Sequence, residues 1–332
     1  MRNRFLAPGM LAFFVSILLP AGAADDGRGD VIRQTFPAST GGRLVIEADR
    51  GSVTVEGADV AQVEVEVQRK VVRGSAAKAA DLLQRHKVTF SQDGGTVKVE
   101  ADLEGKESWG WAGPQLEVQI TARVPQEFNL EASTAGGGIR TAHLKGSVTI
   151  RTAGGSLALE DVNGRINGRT SGGSIKGAKL AGNIDLGTAG GSVNVEGATG
   201  ERLKATTSGG SLHLLGLALP TEARTSGGSI EIETSATPLE AGTSGGGVSA
   251  TLTAVPKGDV TLKTSGGSVH LRLPADSAFQ LDASTSAGSV RSEFPVSTTE
   301  SGEKSSLRGP VNGGGPTMRL RSSAGSIRVM KS

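Results

Sequence analysis

One hexapeptide dominates this chain. Thr170-Ser171-Gly172-Gly173-Ser174-Ile175 returns with small changes through the C-terminal two thirds, in copies that begin at Thr134, Thr152, Thr170, Thr188, Thr207, Thr225, Thr243, Thr264, Thr285 and, in degenerate form, Ser322. Steps between neighbouring copies are 18, 18, 18, 19, 18, 18, 21, 21 and 37 residues. A short fixed period marks a stacked-repeat architecture, in which no unit buries an apolar face alone and stacking makes the core. Within one unit Val148 and Ile150 alternate into Thr152, Gly154-Gly155 turns the chain, and Leu157 and Leu159 alternate out of the turn. A second bend follows near Val162 to Gly164. Two strands of about five residues and two bends fill each period. The expected fold is all-β, a right-handed parallel β-solenoid of about 18-residue coils over residues 131–332, since parallel crossovers are right-handed. Rungs stacked ~4.8 Å apart would make a rod roughly 45 Å long.

The glycine pair predicts a bend with positive φ, which glycine adopts without a Cβ clash. The preceding threonine can turn its methyl inward and spend its hydroxyl on backbone groups of the bend. Between residues 296 and 316 the pattern fails in a polar, glycine-rich stretch, which reads as a loop excursion before Met318 to Val329 resumes the repeat and closes the rod. Composition agrees with a thin core. The chain has 50 Gly, 8 Phe, 2 Trp and no Tyr, so its interior must come from Val, Ile, Leu, Ala and Thr.

Residues 1–23 read as a secretory signal peptide: Arg2 and Arg4, a short apolar run from Met10 to Leu19, then Ala21-Gly22-Ala23. The expected localisation is therefore exported, in the periplasm or at the cell surface. With no Cys anywhere, disulfides, thiolate chemistry and a thioether-linked lipid are excluded. Removing residues 1–23 takes away two of 35 bases and none of 33 acids, leaving 33 against 33. That balance argues against nucleic acid as a partner. No apolar run long enough for a transmembrane helix follows the signal.

Residues 24–130 read as a β-rich capping domain, mostly antiparallel, with one helix. Val63, Val65 and Val67 would face a core while Glu64, Glu66 and Gln68 face water, and Asp93-Gly94-Gly95 signals a hairpin. The helix is expected from Ala76 to Arg85, capped by Ser75, with Ala79, Leu82 and Leu83 as its apolar face. Trp109 and Trp111 mark a candidate partner-binding loop or, more simply, a plug between the two regions.

The ordered set of Gly41-Gly42-Arg43-Leu44-Val45-Ile46, Gly51-Ser52-Val53-Thr54-Val55, Val124-Pro125 and the Thr-Ser-Gly-Gly-Ser-Ile copies resembles the bacterial putative-adhesin family of secreted β-strand-repeat proteins, a domain of unknown function. Asn312-Gly313-Gly314-Gly315-Pro316 before the last copy fits as well, and the resemblance runs from about Val31 to Val329. It implies a secreted, adhesin-like rod. The family often carries Asp where this chain has Ser174 or Ser192, so no acidic column for a metal is implied.

Stacking allows surface columns to be read from the sequence. The outward position after the corner holds Arg140, Ala158, Lys176, Asn194, His213, Glu231, Ser249, His270, Arg291 and Arg328; nothing repeats regularly, which argues against an ice-binding face. The position before each corner Thr is basic in half its copies: Arg151, Arg169, Arg224, Lys263 and Arg321 are candidate contacts for a polyanion, an envelope polysaccharide or a lipid head group. The plainer reading is a solvated edge balanced by Glu160, Glu196 and Glu233. No catalytic, metal or cofactor motif appears, so no cofactor is expected. The expectation is a non-catalytic exported envelope protein acting as a binding or scaffold module, with another envelope protein also possible as partner. The alternative is a carbohydrate-active enzyme of the stacked-rod type acting on an anionic polysaccharide, for which Asp185, Lys204 and Arg224 would have to converge.

Overall fold

The computed structural model describes residues 28–105, 115–297 and 305–332. The segment read as a signal lies outside them. Among the described residues one helix, Ala76–Arg85, accompanies a continuous parallel β-stack. The helix begins as the sequence predicts: Ser75 Oγ accepts from the Lys78 backbone N–H at 3.4 Å, and Ala79 and Leu82 are buried.

Each rung contributes two outer faces. Strands entering the glycine corner form one, which we call the entry face; strands leaving it form the other, the exit face. On the entry face Leu130, Val148, Ile166, Ile184 and Leu203 stand directly above one another. On the exit face Ile139, Leu157, Ile175, Val193 and Leu212 do the same. All ten are buried, so the interior is a narrow apolar column of a parallel β-solenoid.

The corners hold together by a relay. Thr170 Oγ1 accepts from the backbone N–H of Gly173 at 3.3 Å and donates to the carbonyl of Gly155 in the adjacent rung at 2.7 Å. Thr188, Thr207, Thr225 and Thr243 repeat both bonds with their own glycines. In the degenerate last copy the hydroxyl of Ser322 takes the same two partners, Gly325 N–H and Gly267 O. These hydroxyls are buried, so each relay satisfies groups that water cannot reach.

The corner glycines are required for a different reason from the one expected. None of Gly154, Gly155, Gly172 or Gly173 has a positive φ. The constraint is proximity: a Cβ on Gly173 would lie 2.0 Å from the carbonyl oxygen of Gly155. The left-handed positions sit instead at the second bend, on His143, Asp161 and Lys179, with φ of 56, 50 and 53°. Gly197 and Gly216 continue that series.

The stack does not begin at Thr134. Arg43–Ala48 and Ser52–Ala58 form a full rung, paired in parallel with Asn129–Thr134 and Ile139–Lys145. Thr134 Oγ1 donates to Gly51 O at 3.0 Å, so Asp49-Arg50-Gly51-Ser52 is a corner in which one glycine survives. On its other side this rung pairs in parallel with Thr96–Leu103 and Leu116–Pro125. The antiparallel strands Gly29–Pro37, Gln62–Val71 and His86–Asp93 then wrap that end.

At the opposite end the order is also out of sequence. Thr317–Ser322 lies between Val260–Thr264 and Phe279–Thr285, and Ile327–Lys331 lies between Val269–Leu273 and Val290–Ser292. The last copy in sequence is therefore inserted between two earlier rungs and does not close the rod. Within the segment expected to be a loop excursion, Ser306–Val311 forms a strand antiparallel to Phe279–Thr285 and covers its edge.

Candidate functional site

Charge on the entry face is arranged in two neighbouring columns. The basic one carries the candidate residues Arg151, Arg169, Arg224, Lys263 and Arg321 in register. Two residues earlier on each strand stands a column with Glu131, Asp185, Glu222, Glu240 and Asp282. The columns pair across: Arg151–Glu131 at 3.8 Å, Arg169–Asp185 at 2.6 Å, Arg224–Glu240 at 2.8 Å and Arg224–Glu222 at 3.2 Å. Asp282 is shared by Arg308, Arg319 and Arg321. Partial burial alone would raise its carboxyl, but the hydrogen bond from Arg321 and the charges of Arg321, Arg308 and Arg319 hold it below the usual carboxylate range. Lys263 stands in register beside Arg321 and has no carboxylate within 4 Å among the described residues. The basic stripe is thus largely one half of an ion-pair ladder. Its members are substantially exposed, so each pair adds about 0–1 kcal/mol.

The same ladder absorbs the residues an enzyme would need. Asp185 and Lys204 are register neighbours, but Asp185 is held by Arg169 and Lys204 lies 3.7 Å from Glu222. Arg224 points at Glu222 and Glu240, so Asp185, Lys204 and Arg224 do not converge. The histidines are equally dispersed. His143 Nδ1 lies 3.0 Å from Asp161 and His213 Nδ1 lies 3.2 Å from Glu231, while His86 is buried beside Arg69 at the N-terminal end. Among the described residues no group of His, Asp or Glu is arranged to hold a metal, and no helix is long and apolar enough to cross a membrane. Trp109 and Trp111 fall outside the described residues.

A groove of about 570 Å³ lies on the exit face. Its edges are two outward columns: Arg140, Lys176 and His213 on one side, Glu160, Glu196 and Leu215 on the other. The small side chains of Ala158 and Ala178 lower its floor, and backbone at Thr141, Leu159 and Gly177 completes it. The floor is fixed by parallel ladder bonds on every rung, so the groove is a preformed trough along the rod axis. A second cavity, of about 510 Å³, opens where Ser306–Val311 meets the terminal rung. It is lined by hydroxyls of Ser284, Ser286 and Ser323 with Arg308 and Arg321 beside them. Sequence reasoning missed the exit-face groove because its two walls lie in different columns, each irregular when read alone.

No curated protein matches the sequence. Among crystal structures, the chain is similar to a putative adhesin from Bacteroides fragilis, with 12% identity over 90% of this chain and 97% of that one and a TM-score of 0.35. It is also similar to a putative lipid binding protein from Parabacteroides distasonis, with 12% identity over 92% and 98% and a TM-score of 0.40. A putative adhesin from Parabacteroides merdae gives 12% identity over 75% and 93% and a TM-score of 0.37. Superpositions this loose carry no assignment, which rests on the sequence itself. Residues 42–330, from the hidden first rung to the last strand, match the Toastrack domain DUF4097, and the chain belongs to that family.

Proposed function

We propose that the chain is a non-catalytic, exported binding module of the bacterial envelope whose rod presents rigid linear faces to an extended partner. The observation that carries this reading is the exit-face trough: about 570 Å³, open along the rod axis, with cationic and anionic edges on a floor of ladder-bonded backbone. A trough of this form suits a linear polymer or an extended segment of another envelope protein better than a compact small molecule, which prefers an enclosed apolar pocket. The commitment of Asp185, Lys204 and Arg224 to ion pairs supports a binding role over carbohydrate cleavage. The apolar run and small-residue site within residues 1–23 support export.

Two measurements test the reading. Cell fractionation with protease shaving separates periplasm from outer surface, and recovery in the cytosol would overturn the export half. A screen of envelope polymers at two salt concentrations tests the binding half. Retention of at least one polymer without release of new chain ends is expected, whereas turnover of any polymer would restore the enzymatic alternative.

A further inference from the structure

The rung inserted at the C-terminal end assembles a cluster of basic side chains. Ile327–Lys331 lies between Val269–Leu273 and Val290–Ser292, which sets Arg328 in register with both His270 and Arg291. Three basic side chains of the exit face therefore stand in consecutive rungs, ~4.8 Å apart along the rod. Arg291 and Arg328 are exposed and His270 is half-buried. Arg272, two residues beyond His270, is exposed beside them, and its guanidinium donates to the carbonyl of Lys331 and the sulfur of Met330. Among the described residues, no carboxylate lies within 4 Å of His270, Arg272, Arg291 or Arg328. Glu293, on the terminal rung, is occupied by the backbone N–H of Lys331. The contrast with the entry face is direct, since four of the five cations in that stripe are matched by acids.

We propose that this end of the exit face binds a linear anionic polysaccharide, one carrying a carboxylate on its successive sugars. The argument is charge complementarity joined to geometry. The guanidinium groups of Arg328 and Arg291 in adjacent rungs, with Arg272 beside them and the His270 imidazole as a hydrogen-bonding neighbour, match a ligand whose negative charges also recur in a file. The file stands in the same register column as Arg140, Lys176 and His213 of the trough, separated from them by Glu231 and Ser249, so it is a distinct patch at the end of the exit face. A membrane surface fits less well: Phe279 and Phe294, which pack against each other at this end, are both buried, so among the described residues neither ring serves as an anchor in lipid. The proposal rests on the reading of the chain as a binding module and names its ligand class.

The test uses the purified chain with polygalacturonate, with dextran as the neutral polymer, and with vesicles of phosphatidylglycerol and phosphatidylcholine. The site variant is Arg291→Gln with Arg328→Gln; the control is Arg151→Gln with Arg224→Gln on the paired ladder. Circular dichroism establishes that both variants are folded. The expected result is binding to polygalacturonate that weakens as salt rises, falls at least tenfold in the site variant and changes less than twofold in the control. Equal binding of dextran, or unchanged polygalacturonate binding in the site variant, would overturn the site while leaving a binding module in place. Vesicle binding lost in the site variant, without polymer binding, would overturn the polysaccharide in favour of a lipid surface. Release of new reducing ends from polygalacturonate would overturn the underlying non-catalytic reading itself.

Discussion

Replacing Gly173 by alanine tests the corner mechanism most sharply, because Gly172 beside it is an internal control. At Gly173 the new Cβ would meet Gly155 O at 2.0 Å, Gly155 C at 2.4 Å and Ser156 N at 2.7 Å, all of them backbone. Real Cβ atoms essentially never come within 3.0 Å of such neighbours, so the two corners must part by about 1 Å. That movement would carry the Thr170 Oγ1 to Gly155 O contact from 2.7 Å to beyond hydrogen-bonding range. Leaving a buried donor and acceptor unpaired costs about 1–3 kcal/mol. Overpacking against fixed backbone adds a further ~1–3 kcal/mol. We therefore expect a loss of about 4 kcal/mol, concentrated at the interface between two rungs, as stability in a solenoid resides in neighbour contacts. At Gly172 the nearest atom is 3.6 Å away, an ordinary contact, and φ is not left-handed. Alanine there should be neutral or stabilising by up to ~1 kcal/mol, because it restricts the unfolded chain. Urea midpoints followed by circular dichroism give the comparison, and hydrogen exchange at the Gly172 amide, which donates to Ala153 O across that interface, locates the damage. Equal midpoints for the two variants would refute the claim that stacking, not backbone conformation, selects the second glycine.

Thr188→Val keeps the shape but removes the hydroxyl that joins Gly191 N–H to Gly173 O, and should lower stability by about 1–3 kcal/mol in the same urea assay, with Thr188→Ser much milder. His86 is 1% exposed, and burial, aided by the Arg69 charge, pushes its imidazole from 6.5 down to about 4. The fold therefore holds the neutral ring, its contribution is complete above pH 6.5, and stability falls as pH drops from there towards 4, by on the order of 1–3 kcal/mol. Denaturant midpoints against pH should show that slope in the wild type, with a shallower one in His86→Leu. Asp282→Asn leaves Arg308, Arg319 and Arg321 facing one another without their shared carboxylate. It should destabilise the C-terminal end by roughly 1 kcal/mol at low salt and less at high salt, measured by melting at two ionic strengths.

The period and the alternation of Val, Ile and Leu were enough to read the stacked core, because each inward position is apolar in nearly every rung. The helix at Ala76–Arg85 was equally legible, since Ser75 and the apolar face at Ala79 and Leu82 are local signals. What stayed hidden is non-local or chemically disguised. The rung at Leu44 and Val53 keeps one corner glycine and has Ala48 where the relay threonine would be, so it does not look like a repeat. The left-handed bend passes through His143, Asp161 and Lys179; His and Asp are enriched at positive φ, but the position changes residue type from rung to rung and so shows no pattern. The ladder partners of the basic stripe were visible in principle. Arg169 with Asp185 and Arg224 with Glu240 are both 16 residues apart, one rung less two positions, but columns read singly cannot reveal pairs.

A stack of identical parallel rungs has an intrinsic fault, because its last rung offers open backbone groups to any further strand. This chain answers it by changing pairing direction at both ends. Gln62–Val71 and His86–Asp93 run antiparallel against the outer N-terminal layer, and Ser306–Val311 runs antiparallel against the outer C-terminal rung. An antiparallel strand needs the chain to reverse, and each reversal carries the chain past the end of the stack and back into it. That is why the rung at Leu44 lies inside the layer formed by Val97, and the rung at Met318 lies inside the one formed by Leu281. The cost is in topology. Ser322 must dock on Gly267, 55 residues earlier, and Thr285 must dock on Gly325, 40 residues later, before either relay is complete. Closure of such long loops slows folding relative to rung-by-rung addition. The gain is that the file of Arg328, His270 and Arg291 exists only when the insertion is complete, so the charged end and the protected edge are products of the same docking step.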